Sequence, residues 1–362
     1  MIRTAVVGLG KMGISHLALV RAHPDVDLVG VCDASSYVLG VLEKNTGVKT
    51  WSDYSKMLDE VELDAVVIST PSASHASMVE AALERGISVF CEKPFTLSAA
   101  ESSSLAEKAA AKGLTTQVGY HNRFIGAFAE VKQLIDSGAI GEVVHVLGEA
   151  YGPVVLKAKG STWRSKASEG GGCLYDYAAH VINLINWYAG EPEGIGGTVL
   201  GKVFSKETDD EVFSTLGFPG GVTGQVSVNW SDESQRKMTT RITVWGTQGR
   251  IFADRQEVQA YIREGGSPPG YRTGWNVRYT TELTEPVWFY LRGEEYSAQI
   301  DSFFKSVAAG ETTGINDFAS AAMTDRVIER MAADAANGLN RPTATAPAPA
   351  QKKRRWWNRG AK

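Results

Sequence analysis

The stretch Ala5-Val6-Val7-Gly8-Leu9-Gly10-Lys11-Met12-Gly13 decides the fold. The apolar run from Ile2 to Val7 reads as a buried strand that leads directly into a G-x-G-x-x-G turn. Gly8 permits the tight turn, Gly10 lets a pyrophosphate approach the backbone, and Gly13 lets the next helix pack on the strand. Lys11 to Ala22 reads as that helix, stopped by His23-Pro24. Its N-terminus offers free N–H groups and a positive dipole end to phosphates, with Lys11 and Met12 in the first turn. A second strand, Leu28 to Cys32, ends at Asp33, about 20 residues beyond Gly13, where a carboxylate accepts from ribose hydroxyls. Ala34-Ser35-Ser36 follow without an Arg to meet a 2′-phosphate, so NAD(H) is favoured over NADP(H).

Outward from this unit, strand and helix periods alternate. A helix from Tyr37 to Asn45 and a short helix at Asp53 to Leu58 precede the strand Ala65 to Thr70. Then come a helix from Ser74 to Arg85, a strand from Ile87 to Cys91, a helix from Ala99 to Lys112 and a strand from Thr115 to Gly119. This order predicts an α/β fold that begins with a Rossmann domain, a doubly wound parallel sheet with helices on both faces. Ligands bind beyond the carboxyl ends of such strands. Thr70-Pro71, Glu92-Lys93-Pro94 and Tyr120-His121-Asn122-Arg123 all follow strand ends and should share one crevice.

Beyond Phe124 the pattern changes. A helix to Ser137 and a strand at Val143 to Ala150 precede a polar, glycine-rich loop from Lys157 to Gly172. A helix from Leu174 to Tyr188 follows. The runs 211–218, 222–230, 239–245, 250–253 and 258–262 alternate without a long helix between them. They predict a second α/β domain with a large open, mostly antiparallel sheet. Two helices, Glu294 to Ala309 and Asn316 to Asn337, close it. The expected division is 1–122, 123–340, and a disordered basic tail at 341–362, where Lys and Arg surround Trp356 and Trp357.

Composition narrows the function. The chain has 362 residues, enough for two domains, and a net charge of −4 that gives no nucleic-acid footprint. Cys32, Cys91 and Cys173 have no metal spacing and predict reduced thiols in a cytoplasmic protein, with no metal. A strand starting at Ile2 leaves no room for a signal peptide.

Asp176, His180 and Asn183 stand at i, i+4 and i+7, which on a helix forms one polar face just after Gly170-Gly171-Gly172. Lys93, at a strand end in the crevice, offers an ammonium that could polarise a carbonyl or lower a hydroxyl's pKa. His180 would be the general base. His75 and His121 read as structural or cofactor-adjacent.

Taken in order, Gly8-x-Gly10-x-x-Gly13, Thr70-Pro71 with His75, Glu92-Lys93-Pro94, the Gly119 to Phe124 run, and Trp163-Arg164 before Gly-Gly-Gly-x-Leu-x-Asp-x-x-x-His resemble the Gfo/Idh/MocA oxidoreductases, over about residues 1 to 340. The resemblance implies reversible hydride transfer between a secondary alcohol of a sugar, sugar acid, nucleotide sugar or inositol and a nicotinamide. It implies Lys93 as the active-site lysine, His180 as acid/base, and Asp176 as the residue that orients His180. Thr70, Pro71, His75, Glu92, Lys93 and Asn122 would lie on the cofactor side. Arg123, Trp163, Arg164 and Asn183 would join Lys93, Asp176 and His180 on the substrate side. Asn183 stands where many members carry Asp, which suggests a changed hydroxyl preference. A homodimer or homotetramer is also implied. The same residues admit an NAD-using glycoside hydrolase or a non-catalytic NAD- and sugar-sensing regulator.

Overall fold

The computed structural model describes residues 1–157, 162–265 and 267–338. The expected basic tail lies outside these residues.

The first sheet is parallel, with strands β1 (Ile2–Val7), β2 (Val26–Cys32), β3 (Thr50–Trp51), β4 (Ala65–Ile68), β5 (Ser88–Cys91) and β6 (Thr116–Val118) in the order β3-β2-β1-β4-β5-β6. Every residue of β4 and β5 is buried, as strands covered on both faces must be. The covering helices are α1 (Lys11–Ala22), α2 (Ser36–Thr46), α3 (Tyr54–Glu60), α4 (His75–Glu84) and α5 (Ala99–Ala111). Ser35, Asp53 and Ser98 cap α2, α3 and α5 by accepting from backbone N–H groups one turn in. The strand order reverses between β1 and β4, which sets the ligand crevice at their carboxyl ends.

Helix α6 (Gly126–Asp136) leads to the second sheet. Its strands are β7 (Val143–Tyr151), β8 (Gly194–Gly201), β9 (Glu211–Gly217), β10 (Thr223–Asn229), β11 (Thr239–Gly246), β12 (Gly249–Ala253), β13 (Glu257–Ile262) and β14 (Gly274–Tyr279). They lie in the order β14-β13-β12-β11-β7-β10-β9-β8, antiparallel except for the parallel pair β7 and β10. Helix α7 (Ala179–Ala189) packs on β7 so closely that a Cβ at Gly148 would lie 2.3 Å from a Val181 methyl. A short helix, α8 (Thr280–Leu283), follows β14, and α9 (Glu294–Ala309) and α10 (Phe318–Asn337) come last.

Three strands escape the periodic signal. β3 has two residues, β8 is interrupted by Gly196 and Gly197, and β14 is an edge strand whose residues are at best half-buried. The last two helices also depart from expectation, because they do more than close the second sheet. Ile300, Phe303 and Phe304 of α9 share a core with Val6, Leu17 and Val20. The Val118 N–H donates to the Asn316 carbonyl, stitching the chain back onto β6. The apolar face of α9 packs against β1 and α1 and so completes the core of the first sheet.

Candidate active site

The glycine turn has the shape that a dinucleotide needs. Gly8 takes a left-handed φ of 82°, and a Cβ there would lie 2.7 Å from the Thr70 nitrogen. A Cβ on Gly13 would lie 1.7 Å from the Gly8 carbonyl oxygen, whereas one on Gly10 would meet nothing within 4 Å. The backbone is therefore closed at both ends of the motif and open at Gly10, where a pyrophosphate would come to rest against the N-terminus of α1. Lys11 is exposed and Met12 half-buried in that first turn. Asp33 accepts from the Leu9 N–H (2.5 Å) and the Ser35 N–H (2.7 Å), so its carboxylate is fixed at the end of β2 with lone pairs left for ribose hydroxyls. These residues fit NAD.

At the end of β4, Thr70 Oγ1 accepts from the Ser74 hydroxyl (2.9 Å), and Pro71 starts the turn Ser72–Ser74. His75 starts α4 just beyond this turn. It is buried, with Nδ1 2.9 Å from the Pro94 carbonyl and Nε2 3.0 Å from the Thr70 carbonyl. It bridges the two loops, and burial lowers its pKa, leaving the neutral ring one N–H to donate to one of these carbonyls.

Lys93, at the end of β5 and before a cis proline, reaches across to Asp176. Its Nζ lies 2.6 Å from Asp176 Oδ1 and 3.0 Å from the Asp176 carbonyl. The Arg164 Nε donates to the other carboxylate oxygen at 2.9 Å. Burial pushes Asp176 up, but the Lys93 and Arg164 charges outweigh it and hold the carboxylate below its ordinary range. The Arg164 guanidinium also stacks 4.4 Å above the exposed Trp163 ring.

His180 is buried one turn further on, edge-on to Tyr120 and His121. Burial, with Lys93 and Arg255 nearby, lowers its pKa well below the usual histidine value, so the imidazole is neutral. The expected Asp176–His180 contact is absent. Asp176 spends its oxygens on Lys93 and Arg164, and the buried His180 Nδ1 has no partner among the described residues. Leu174–Ala178 is a π turn, and the Asp176 carboxylate is drawn to the two cations beside it. Asp176 is hydrogen-bonded to Lys93 and Arg164, and no hydrogen bond among the described residues joins it to His180.

The polar stripe breaks at Asn183 as well. Arg123 is buried, and its guanidinium donates to the Asn183 side chain (2.8 Å) and carbonyl (2.9 Å) while lying 5.3 Å from the Trp187 ring. The Asn183 amide donates to Thr324. Both residues are buried and bonded to each other. They pin the turn His121–Phe124 to α7. Burial lowers the Arg123 pKa to about 10, because its partners carry no negative charge. Asn183→Asp should supply the missing counter-ion and raise stability by about 2 kcal/mol, with substrate ranking unchanged. Thermal unfolding and a substrate panel check this, and a shifted ranking would return Asn183 to the substrate side.

Three residues were missed in the sequence. His16, in α1, lies 2.6 Å from Glu92 Oε1. Arg255, in the turn between β12 and β13, reaches Asn122 Oδ1 (3.3 Å) and pairs with Glu295, 3.5 Å from the His121 ring nitrogen. Asp209 accepts from the Leu174 N–H at 2.7 Å and caps the π turn, and burial pushes its carboxyl up to about 6. Only His16 carried a signal, as a polar residue on the inward face of α1. The other two act across gaps in sequence that no period spans.

Comparison with known proteins gives the family. Residues 2–120 match the oxidoreductase family with an NAD-binding Rossmann fold, and residues 128–252 match the GFO/IDH/MocA C-terminal domain. The chain is 30% identical over 295 residues to scyllo-inositol 2-dehydrogenase (NAD(+)) of Bacillus subtilis (strain 168), covering 78% of this chain and 84% of that one. It is 26% identical over 317 residues to levoglucosan dehydrogenase of Pseudarthrobacter phenanthrenivorans, covering 78% and 81%. The structure of a levoglucosan dehydrogenase with NADH and levoglucosan superposes with a TM-score of 0.82 at 24% identity, over 93% of this chain and 97% of that one. The chain belongs to the Gfo/Idh/MocA oxidoreductase family. It is an NAD-dependent oxidoreductase, and no helix among the described residues is long and apolar enough to cross a membrane.

Proposed function

We propose that this chain is a dehydrogenase of a secondary hydroxyl on a sugar or cyclic polyol, with inositols, sugar acids and nucleotide sugars as the substrate class. One observation carries the reading: an ion pair, Lys93 with Asp176, stands beside a buried neutral imidazole at the crevice end of β5. Gly10, the N-terminus of α1 and Asp33 would hold the adenosine and pyrophosphate half of NAD. Thr70, Pro71, Glu92 and Asn122 border its other half. When bound, NAD supplies the ring carbon that takes up the hydride. His180 takes the hydroxyl proton, since its burial keeps a lone pair free. Lys93 faces the alkoxide that develops, and Asp176 holds the ammonium in place. Trp163 and Arg164 wall the substrate side, and Arg164 draws its position from Asp176.

The same reading divides the chain at residue 122 into a cofactor half and a substrate half. It also assembles the protein as a homodimer or homotetramer through the open sheet. Tyr261, Trp275, Val277 and Tyr279 lie exposed on one face of β13 and β14, where a second copy would cover them. Three free buried cysteines support a cytoplasmic setting.

The test is NADH absorbance with NAD against inositols, monosaccharides, sugar acids and UDP-sugars, with NADP in parallel. Growth of NADH with one group, and none with NADP, is the expected result. Silence across the panel with NAD bound, together with release of the phenol from an aryl glycoside, would replace the dehydrogenase by a hydrolase.

A further inference from the structure

His16 has a buried position that the fold alone does not require. It lies on α1, the helix whose N-terminus faces the pyrophosphate site, yet its ring points down to the end of β5. The side chain is fully buried edge-on against Phe90, and Nε2 lies 2.6 Å from Glu92 Oε1. Its Nδ1 is buried with no partner among the described residues, so the ring is committed to Glu92 through one nitrogen. Glu92 is equally confined. Its second oxygen accepts from the Lys93 N–H at 3.1 Å, and its carboxylate lies 3.0 Å from where a Cβ on Gly119 would be. A buried carboxylate is thus wedged between α1, β6 and the backbone of the lysine that meets Asp176.

Its place in the sheet gives the carboxylate a role. Asp33 stands at the end of β2 and the glycine turn at the end of β1, so a dinucleotide laid along the strand ends reaches β4 and β5 with its nicotinamide half. The oxidised nicotinamide ring carries a positive charge that the reduced ring lacks. A buried anion at that end therefore favours the oxidised form, and the low-dielectric setting magnifies the difference.

We propose that His16 is a positioning residue: by donating to Glu92 it holds that carboxylate as a fixed anion at the nicotinamide end of the crevice, which favours NAD⁺ over NADH and anchors the Lys93 backbone. Burial by itself pushes the Glu92 carboxyl up, and the His16 hydrogen bond is the largest influence opposing it. The inference rests on NAD binding in this crevice and goes beyond the proposed reaction.

The experiment measures dissociation constants for NAD⁺ and NADH separately, by fluorescence titration, in the full chain and its variants. His16→Leu removes the donor, while His16→Gln places an amide N–H where Nε2 was. In His16→Leu the NAD⁺ constant should rise about 10-fold while the NADH constant stays within about twofold. His16→Gln should restore most of the NAD⁺ affinity. A packing role alone would lower the unfolding temperature and leave the ratio of the two constants unchanged, which overturns the proposal, as does a His16→Gln that behaves like His16→Leu. If His16→Leu does not fold, Glu92→Gln gives the same reading: a shifted ratio supports the anion and an unchanged one overturns it. Failure of the wild-type chain to bind either form would instead sink the crevice assignment on which the proposal rests.

Discussion

His180→Ala should lower kcat by about 100-fold or more while NAD affinity stays within about twofold. The imidazole is buried beside Tyr120 and His121, away from the glycine turn and Asp33 that would hold the adenosine and pyrophosphate half. Removing it takes away the proton acceptor and leaves the glycine turn intact. Lys93→Ala should cost a similar factor by a different route, because it removes the ammonium and leaves Asp176 buried beside Arg164 alone. The pH profile separates the two roles. The His180 pKa lies well below its ordinary value, so the base form persists to lower pH, and the acid limb of kcat/KM should fall below about 6.5 in the wild type. That limb should vanish in His180→Ala. A variant that loses NAD binding along with turnover would mean that His180 supports the cofactor and not the chemistry.

Gly13→Ala should abolish measurable NAD binding, raising the dissociation constant by about 100-fold or more, and should lower the unfolding temperature. The added Cβ would lie 1.7 Å from the Gly8 carbonyl oxygen, and that oxygen is backbone, with no rotamer to yield. Helix α1 must back away from β1, which carries His16 and the phosphate-facing N–H groups with it. Gly10→Ala is the control, since its Cβ meets nothing within 4 Å in the protein and would fill only the space over the turn. It should weaken NAD binding without lowering the unfolding temperature. Equal destabilisation by both variants would deny the separate duties of the two glycines.

Most of the fold was legible because its signals are local. Helices α1 and α9 appear in the structure with the bounds that periodicity predicts, Lys11–Ala22 and Glu294–Ala309. Buried parallel strands announce themselves as short apolar runs. What stayed hidden was the material that periodicity does not mark: the glycine-interrupted edge strand β8, the half-exposed β14, and the π turn at Leu174–Ala178.

The sequence by itself determined the dinucleotide turn, the alternation that builds a parallel sheet, and the place of Lys93 at the crevice end of a strand. Each of these depends on spacing within a few residues, or on the rule that parallel strands end on the same side. Only the tertiary structure decided which partner each group takes. Asp176 turns to Lys93 and Arg164, Arg123 to Asn183, His75 to two backbone carbonyls, and His16 to Glu92. Those choices are made by residues far apart in the chain under one shared constraint. A polar group taken out of water must find a partner wherever packing has brought one within reach.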